Sequence, residues 1–385
     1  MNIRFASEYD KNNIMKIWDY CFNDGPKFTD YYFNNKYKNY NTIVVEEEAD
    51  IVSSLQLNQY KIKLNNKEYD TSYIVGVSTL PQARGRGYMK HIMDFTLNEL
   101  YKKEQLISIL MPIDYRLYRK YGYEHCYDQI EYEINIENLS GFKSSGSLIK
   151  ANLSYIDEMI NIENSFLDNL NGKVMRDEDY YENLFKEVES EDGHIYIHKN
   201  DESDGYIIYF INGDNIFVRE LYYKNINALK GILRFIYNHN TQCKTVHITS
   251  PVDDKIRFIL SNPKTVTMKL KPFMMGRVIN FKKYLESLNI ENDDKLSLII
   301  SVKDDYIKEN NKIFKISLEN NKLIVEDGEF DYDVEFDINT ISQLSFSYIN
   351  GKEAYLLNNL EENKKVIEFL DLIFAKKENY INEYV

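Results

Sequence analysis

Thr79-Leu80-Pro81-Gln82-Ala83-Arg84-Gly85-Arg86-Gly87-Tyr88 joins an apolar stretch, residues 73–80, to a segment where Met89, Ile92, Met93, Thr96, Leu97 and Leu100 recur at helical spacing. A strand therefore runs through a two-glycine turn into an amphipathic helix. Glycines at a helix start let unpaired backbone amides face outward, and those amides bind phosphate together with the positive end of the helix dipole. The dinucleotide fingerprint is excluded, because Gly85-Arg86-Gly87 lacks the third glycine at the right offset and no acidic residue ends a following strand. The stretch is not a P-loop either. From Arg84 to Lys120, eight basic residues stand against four acidic ones, in a chain whose formal net charge is -14. A polyphosphate ligand suits this basic island, and the acidic remainder suits a cationic second substrate.

Outward from the turn, helix-like and strand-like stretches alternate. Upstream come a strand at 3–5, helical patches at 12–21 and 28–37, and strands at 42–46 and 51–60. Downstream come a strand at 106–111, a short helix over 115–121 capped by Gly122, and a strand at 126–136. The Gly/Ser run 140–147 reads as a linker. A similar order then recurs, with a helix at 154–170, strands at 193–198, 205–211 and 215–223, a helix at 228–238 and a strand at 245–249. Beyond a boundary near 286–295, strands (296–302, 312–318, 322–325, 334–337) precede helices (341–348, 353–357, 364–374), the order of a small α+β domain. The expected class is mixed α/β, with units at 1–140, 141–285 and 286–385; 385 residues suit two or three domains.

The acidic balance argues against nucleic-acid and anionic-membrane partners. Cys21, Cys126 and Cys243 stand far apart with no CxxC, so neither a disulfide framework nor a thiolate zinc site is expected, and a reducing cytoplasm fits. The N-terminus has no apolar core of a signal peptide, and no stretch approaches a membrane span. His194 and His198 lie four apart on a strand, about 13 Å from each other, so no metal is expected there.

Gln82-x-x-Gly85-x-Gly87 after a strand resembles the acetyl-CoA pyrophosphate loop of the GNAT superfamily of N-acetyltransferases. Leu117-Tyr118-Arg119-Lys120-Tyr121-Gly122-Tyr123-Glu124 resembles that superfamily's later helix-to-strand segment. The whole layout resembles the enhanced-intracellular-survival (Eis) family: a GNAT domain, a degenerate second one and a C-terminal sterol-carrier-like domain. The second unit's equivalent turn, residues 223–227, contains no glycine, so one acetyl-CoA site per chain is expected.

The resemblance implies direct acyl transfer from acetyl-CoA to a primary amine, either of an aminoglycoside-like cation or of a lysine side chain. Val77, Ser78 and Thr79 would align the pantetheine and thioester, while Arg84, Gly85, Arg86, Gly87, Tyr88 and Met89 cradle the pyrophosphate. Tyr123 would be the general acid, with Tyr118 as the rival, and the C-terminal carboxylate of Val385 the base. Phe22, Asp24 and Tyr384 would meet the acceptor, and the assembly would be a homo-hexamer. The residues agree on one point: no Gly-x-Ser-x-Gly elbow or His-activated cysteine offers a covalent nucleophile, since His125 and Cys126 should point to opposite faces of a strand. The alternative, from a different class, is a non-catalytic CoA-responsive regulatory protein whose C-terminal domain carries an apolar ligand.

Overall fold

The computed structural model describes residues 1–143, 146–292 and 296–384. After β1 (Asn2–Phe5), helix α1 (Lys11–Phe22) buries Ile14, Ile17 and Trp18, and α2 (Pro26–Tyr31) starts at a proline and continues as one π turn, Tyr32–Lys36. Strands β2 (Thr42–Glu47), β3 (Asp50–Leu64) and β4 (Lys67–Thr79) form an antiparallel meander. Helix α3 (Tyr88–Lys102) crosses back to β5 (Ile107–Leu110), which runs parallel to β4; α4 (Tyr115–Arg119) and β6 (Glu124–Asn135) follow.

The order recurs in β7 (Ser147–Lys150), α5 (Ile156–Phe166), β8 (Lys173–Val174), α6 (Glu178–Ser190), β9 (His194–Lys199), β10 (Ser203–Asn212), β11 (Asn215–Tyr223), α7 (Ile226–Tyr237), β12 (Thr245–Ser250), α8 (Ile256–Ile259) and β13 (Thr267–Val278). Among the described residues, 13 strands make one sheet, in the order β1-β2-β3-β4-β5-β13-β6-β12-β11-β10-β9-β7, with β8 on β3. The two halves exchange strands: β13 lies between β5 and β6, and β6 pairs with β12. The last part packs α9 (Phe281–Ser287), α10 (Ile338–Ser345), α11 (Gly351–Leu357) and α12 (Lys364–Ile373) with a four-stranded sheet. Its strands are β14 (Ser297–Lys303), β15 (Ile313–Glu319), β16 (Lys322–Asp327) and β17 (Val334–Asp337), in the order β16-β15-β14-β17. The mixed α/β class expected from the sequence is the one found.

Helix α6 and strand β13 are absent from the sequence reading. Tyr181, Leu184 and Val188 are buried at helical spacing behind the Asp177 cap, but seven acidic residues from 177 to 191 mask the stripe. In β13, Lys269, Lys271 and Pro272 argue against a strand; Pro272 is accommodated where the register with β6 shifts. Arg277, fully buried on β13, joins the parts: it pairs with both Asp304 oxygens at 2.9 and 2.8 Å and donates to the Tyr121 carbonyl.

Candidate active site

The pairing of β4 with β5 ends at Ile74 and Leu110, while β4 continues to Thr79, so the two strands part there. On its other edge β4 carries a bulge. Ser54 faces Ser78 and Gln56 faces Val75, which leaves Gly76 and Val77 without ladder partners. Gly76 sits at φ +60, and a Cβ there would meet Gln56 Oε1 at 2.0 Å and the Trp18 ring at 2.4 Å. Past Ile74 the edge of β4 that faced β5 has no ladder partner among the described residues, which is the chemistry a pantetheine amide needs.

Past the crevice, Gly85 and Gly87 adopt φ +79 and +81 with open space around both, so backbone conformation rather than packing calls for glycine. Gly87 caps α3, whose first amides lack intrahelical acceptors. Arg84 donates to the Thr79 carbonyl at 3.1 Å and has no carboxylate partner among the described residues; Arg86 pairs with Glu47 at 2.9 Å on the surface. Tyr88 is buried and Met89 partly so, both against the core under α3. Of Val77, Ser78 and Thr79, only Val77 is in the bulge. Ser53 takes the Ser78 carbonyl at 2.6 Å and the Thr79 hydroxyl at 3.0 Å, tying both residues to β3.

The two tyrosine candidates separate clearly. Tyr123 is fully buried and its hydroxyl donates to Ser108 Oγ at 2.8 Å, so it points into the core. Burial pushes its phenol above the ordinary value. Tyr118 packs in the same cluster beneath α3, and burial pushes it up to about 12; its hydroxyl has no protein partner among the described residues, nor is it sealed from solvent. His125 contacts Tyr348 and pairs with Asp128 at 2.9 Å, whereas Cys126 is buried in the core with its thiol pushed up by burial.

On the opposite face from α3, a cavity of about 730 Å3 opens beside Met111, the residue after β5. Asp24, Phe28, Glu131, Glu187, Glu191, Arg219, His247 and Tyr384 are in its wall. Asp24 accepts from Trp18 Nε1 at 3.0 Å. Phe22 packs on Trp18 with ring centroids 4.9 Å apart and is not in the wall; Phe28 takes the place expected for it. Burial works against the charge on Glu187, but Arg219 and Lys36 outweigh it and hold the carboxyl down to about 2. Tyr384 lies under the Arg219 guanidinium and against Phe273, centroid distances 5.1 and 5.4 Å. Val385 lies outside the described residues. A second cavity, about 810 Å3, runs along β3 past Gln56, Asn58 and Tyr60 and shares Glu187 with the first.

Residues 2–126 match the acetyltransferase (GNAT) domain family, 172–278 match a second GNAT family, and 281–382 match the sterol carrier protein domain. The chain belongs to the GNAT acetyltransferases. Its layout, two GNAT domains and a sterol-carrier-like domain, is Eis-like, and the acyl donor of GNAT domains is acetyl-CoA. The sequence matches no curated protein. Among solved structures, a probable N-acyltransferase from Enterococcus faecalis V583 aligns over 100% of this chain and 99% of its own, with TM-score 0.87 and 21% identity. A GCN5-related N-acetyltransferase from Anabaena variabilis aligns over 100% of both chains (0.86, 22%), and so does Eis1 from Mycobacterium abscessus (0.77, 14%). At these identities the likeness establishes the fold. The second GNAT domain has no open helix start like that of α3: Asn225 accepts from the Ala228 amide to cap α7 and donates to Asp204 at 2.9 Å. No described helix is long and apolar enough to cross a membrane.

Sequence reasoning missed Glu131, Glu187, Glu191 and Arg219. They belong to no motif and come from β6, the end of α6 and β11, elements far apart in sequence.

Proposed function

We propose that this GNAT acetyltransferase moves acetyl from acetyl-CoA directly to a primary amine of a cationic small molecule, aminoglycoside-like, or of a lysine side chain. The observation that carries this reading is the 730 Å3 pocket across the splay from the pyrophosphate loop, with Asp24 and Glu191 in its wall and free of ion pairs among the described residues. A primary ammonium finds carboxylates there and an apolar wall from Phe28 and Met111.

In the proposed step the neutral amine attacks the thioester carbonyl beside the bulge of β4, the C–N bond forms, and the C–S bond breaks. Tyr118 supplies the proton to the departing sulfur and recovers it from solvent; its free hydroxyl supports that role, and the commitment of Tyr123 to Ser108 argues against the first expectation. The resemblance gives the Val385 carboxylate the role of base, a reading supported by Tyr384, the preceding residue, in the pocket wall. Arg84 and the amides at Gly85–Met89 hold the pyrophosphate.

Thiol release from acetyl-CoA against aminoglycosides, polyamines, lysine peptides and arylamines tests the proposal. Turnover of polycations, reduced at least tenfold by Asp24→Asn through the amine KM, is expected. Equal turnover of neutral-amine analogues at low and high salt refutes the electrostatic argument. Tyr118→Phe should lower kcat and spare acetyl-CoA binding, and an unaffected rate removes its role. The homo-hexamer implied by resemblance is rejected if light scattering gives a monomer across micromolar concentrations.

A further inference from the structure

The second GNAT domain repeats the crevice of the first. β11 and β12 pair in parallel only as far as Val218 and Ile248, as β4 and β5 do as far as Ile74 and Leu110. β11 also carries a bulge at the matching place: Ile208 faces Glu220 and Tyr209 faces Val218, so Arg219 has no ladder partner, as Gly76 and Val77 have none in β4. The capped start of α7 offers no phosphate cradle, yet this crevice is not idle.

The C-terminal tail lies in it. Residues 380–383 are buried, although they form no helix or strand. The Asn382 amide donates to the Arg219 carbonyl, the one released by the bulge, at 2.8 Å. Gln129 of β6 donates to the Ile381 carbonyl at 3.1 Å and to Asn382 Oδ1 at 3.0 Å. Asn171 holds the approach, accepting from the Tyr380 amide at 3.0 Å and donating its own to the Glu378 carbonyl at 2.9 Å. Glu383 receives Arg176 Nε and Nη2 at 3.0 and 2.9 Å, and the Tyr180 hydroxyl on its other oxygen. The same guanidinium meets Glu163 at 3.2 Å and Glu220 at 2.9 Å, and all four side chains are nearly inaccessible. Immediately beyond this anchor, Tyr384 enters the wall of the 730 Å3 pocket.

We propose that the second GNAT domain is the dock of the C-terminal tail, its bulge carbonyl held by Asn382 and its Arg176–Tyr180 pair by Glu383. Docked so, the tail places Tyr384 as a wall of the acceptor pocket. Arg176, Asn382 and Glu383 are positioning residues: they touch no substrate and act through Tyr384. The proposal rests on the reading of that pocket as the acceptor site, but the dock itself is testable without turnover.

The test uses the full chain with Glu383→Ala, Glu383→Gln and Asn382→Ala. Glu383→Ala leaves Arg176 two carboxylate partners, and Asn382→Ala removes no charge, so one variant or the other keeps the test available if its companion fails to fold. Carboxypeptidase trimming is followed by mass, and KM is measured separately for amine and acetyl-CoA. The native chain should lose no more than Val385, whereas Glu383→Ala and Asn382→Ala should be trimmed past Tyr384 at least tenfold faster. The amine KM should rise at least tenfold in Glu383→Ala with the acetyl-CoA KM within twofold; Glu383→Gln, which still accepts from Arg176, should fall between. Native-like trimming of both alanine variants overturns the dock, whatever the activity panel gives. Rapid trimming with an unchanged amine KM overturns the positioning role, and parallel rises in both KM values do so as well, since they mark general damage.

Discussion

Gly76→Ala probes the bulge that the acyl-transfer reading depends on. A side chain at φ +60 costs about 1–2 kcal/mol in backbone strain. The new methyl would also sit 2.0 Å from Gln56 Oε1 and 2.4 and 2.9 Å from Trp18 ring carbons, and such overpacking costs about 1–3 kcal/mol. The two add to about 2–5 kcal/mol, a large share of the stability of any one domain. Trp18 is the chain's single tryptophan, so its fluorescence reports this corner alone. Urea unfolding followed by Trp18 emission should show the midpoint lowered by about 1 M or more, given slopes of about 1–3 kcal/mol per M. Because Trp18 Nε1 holds Asp24, a displaced indole should also raise the amine KM. A variant with the native midpoint, emission maximum and amine KM refutes the placement of Gly76 against Trp18 and the reasoning built on it.

Glu163 is pushed up to about 7 by burial, against the pull of Arg176 and with Glu220 and Glu383 adding to the rise. The native state thus binds more protons than the unfolded chain between the ordinary carboxylate range and about pH 7, and stability should fall as pH rises through that window. Glu163→Gln should flatten the slope in melting temperature against pH, and an unchanged slope rejects the assignment. Arg277→Met leaves Asp304 buried and unpaired and should cost about 3–5 kcal/mol; adding Asp304→Leu should recover part of it, as measured by denaturant unfolding. Gly87→Ala strains the α3 cap by about 1–2 kcal/mol, so the acetyl-CoA KM should rise about 5- to 30-fold while the amine KM holds. A rise in the amine KM alone would place the donor elsewhere.

The donor half of the site is local in sequence, and there the residues spoke for themselves: strand, Gly85-Arg86-Gly87 turn and amphipathic helix lie within thirty residues and appear in that order. Local pattern said less about side-chain direction. Tyr118 and Tyr123 are five residues apart in one short stretch, and only the packing of β6 turns Tyr123 toward Ser108 and leaves the Tyr118 hydroxyl free. Of the acceptor half, the family resemblance named Asp24 and Tyr384, both in the pocket wall; the rest was illegible because it comes from α2, α6, β6 and β11, brought together by a strand exchange that no periodicity announces. The acidic face of α6 illustrates the difficulty: Glu187 and Glu191 look like solvated surface until Arg219 and Lys36 are seen beside the first.

That distinction also corrects how the chain's acidity bears on substrate choice. A net charge of -14 suggests steering of cations at long range, but surface charges are screened beyond about 8 Å at physiological salt. What an ammonium meets inside the pocket is decided by which carboxylates are already neutralised. Glu187 is held by Arg219 and Lys36, and Glu131 faces Lys271 at 3.5 Å, so neither offers a full charge. Asp24 has only the neutral indole donor, and Glu191, pushed up by burial, has no ion pair among the described residues. On the proposed reading, two carboxylates in one pocket without ion pairs among the described residues would favour an acceptor with at least two amines over a single lysine side chain. If specificity lies there, Glu191→Gln should reduce discrimination between diamines and monoamines at high salt as much as at low salt. A preference that disappears with salt in the native enzyme would instead return the selectivity to the surface field.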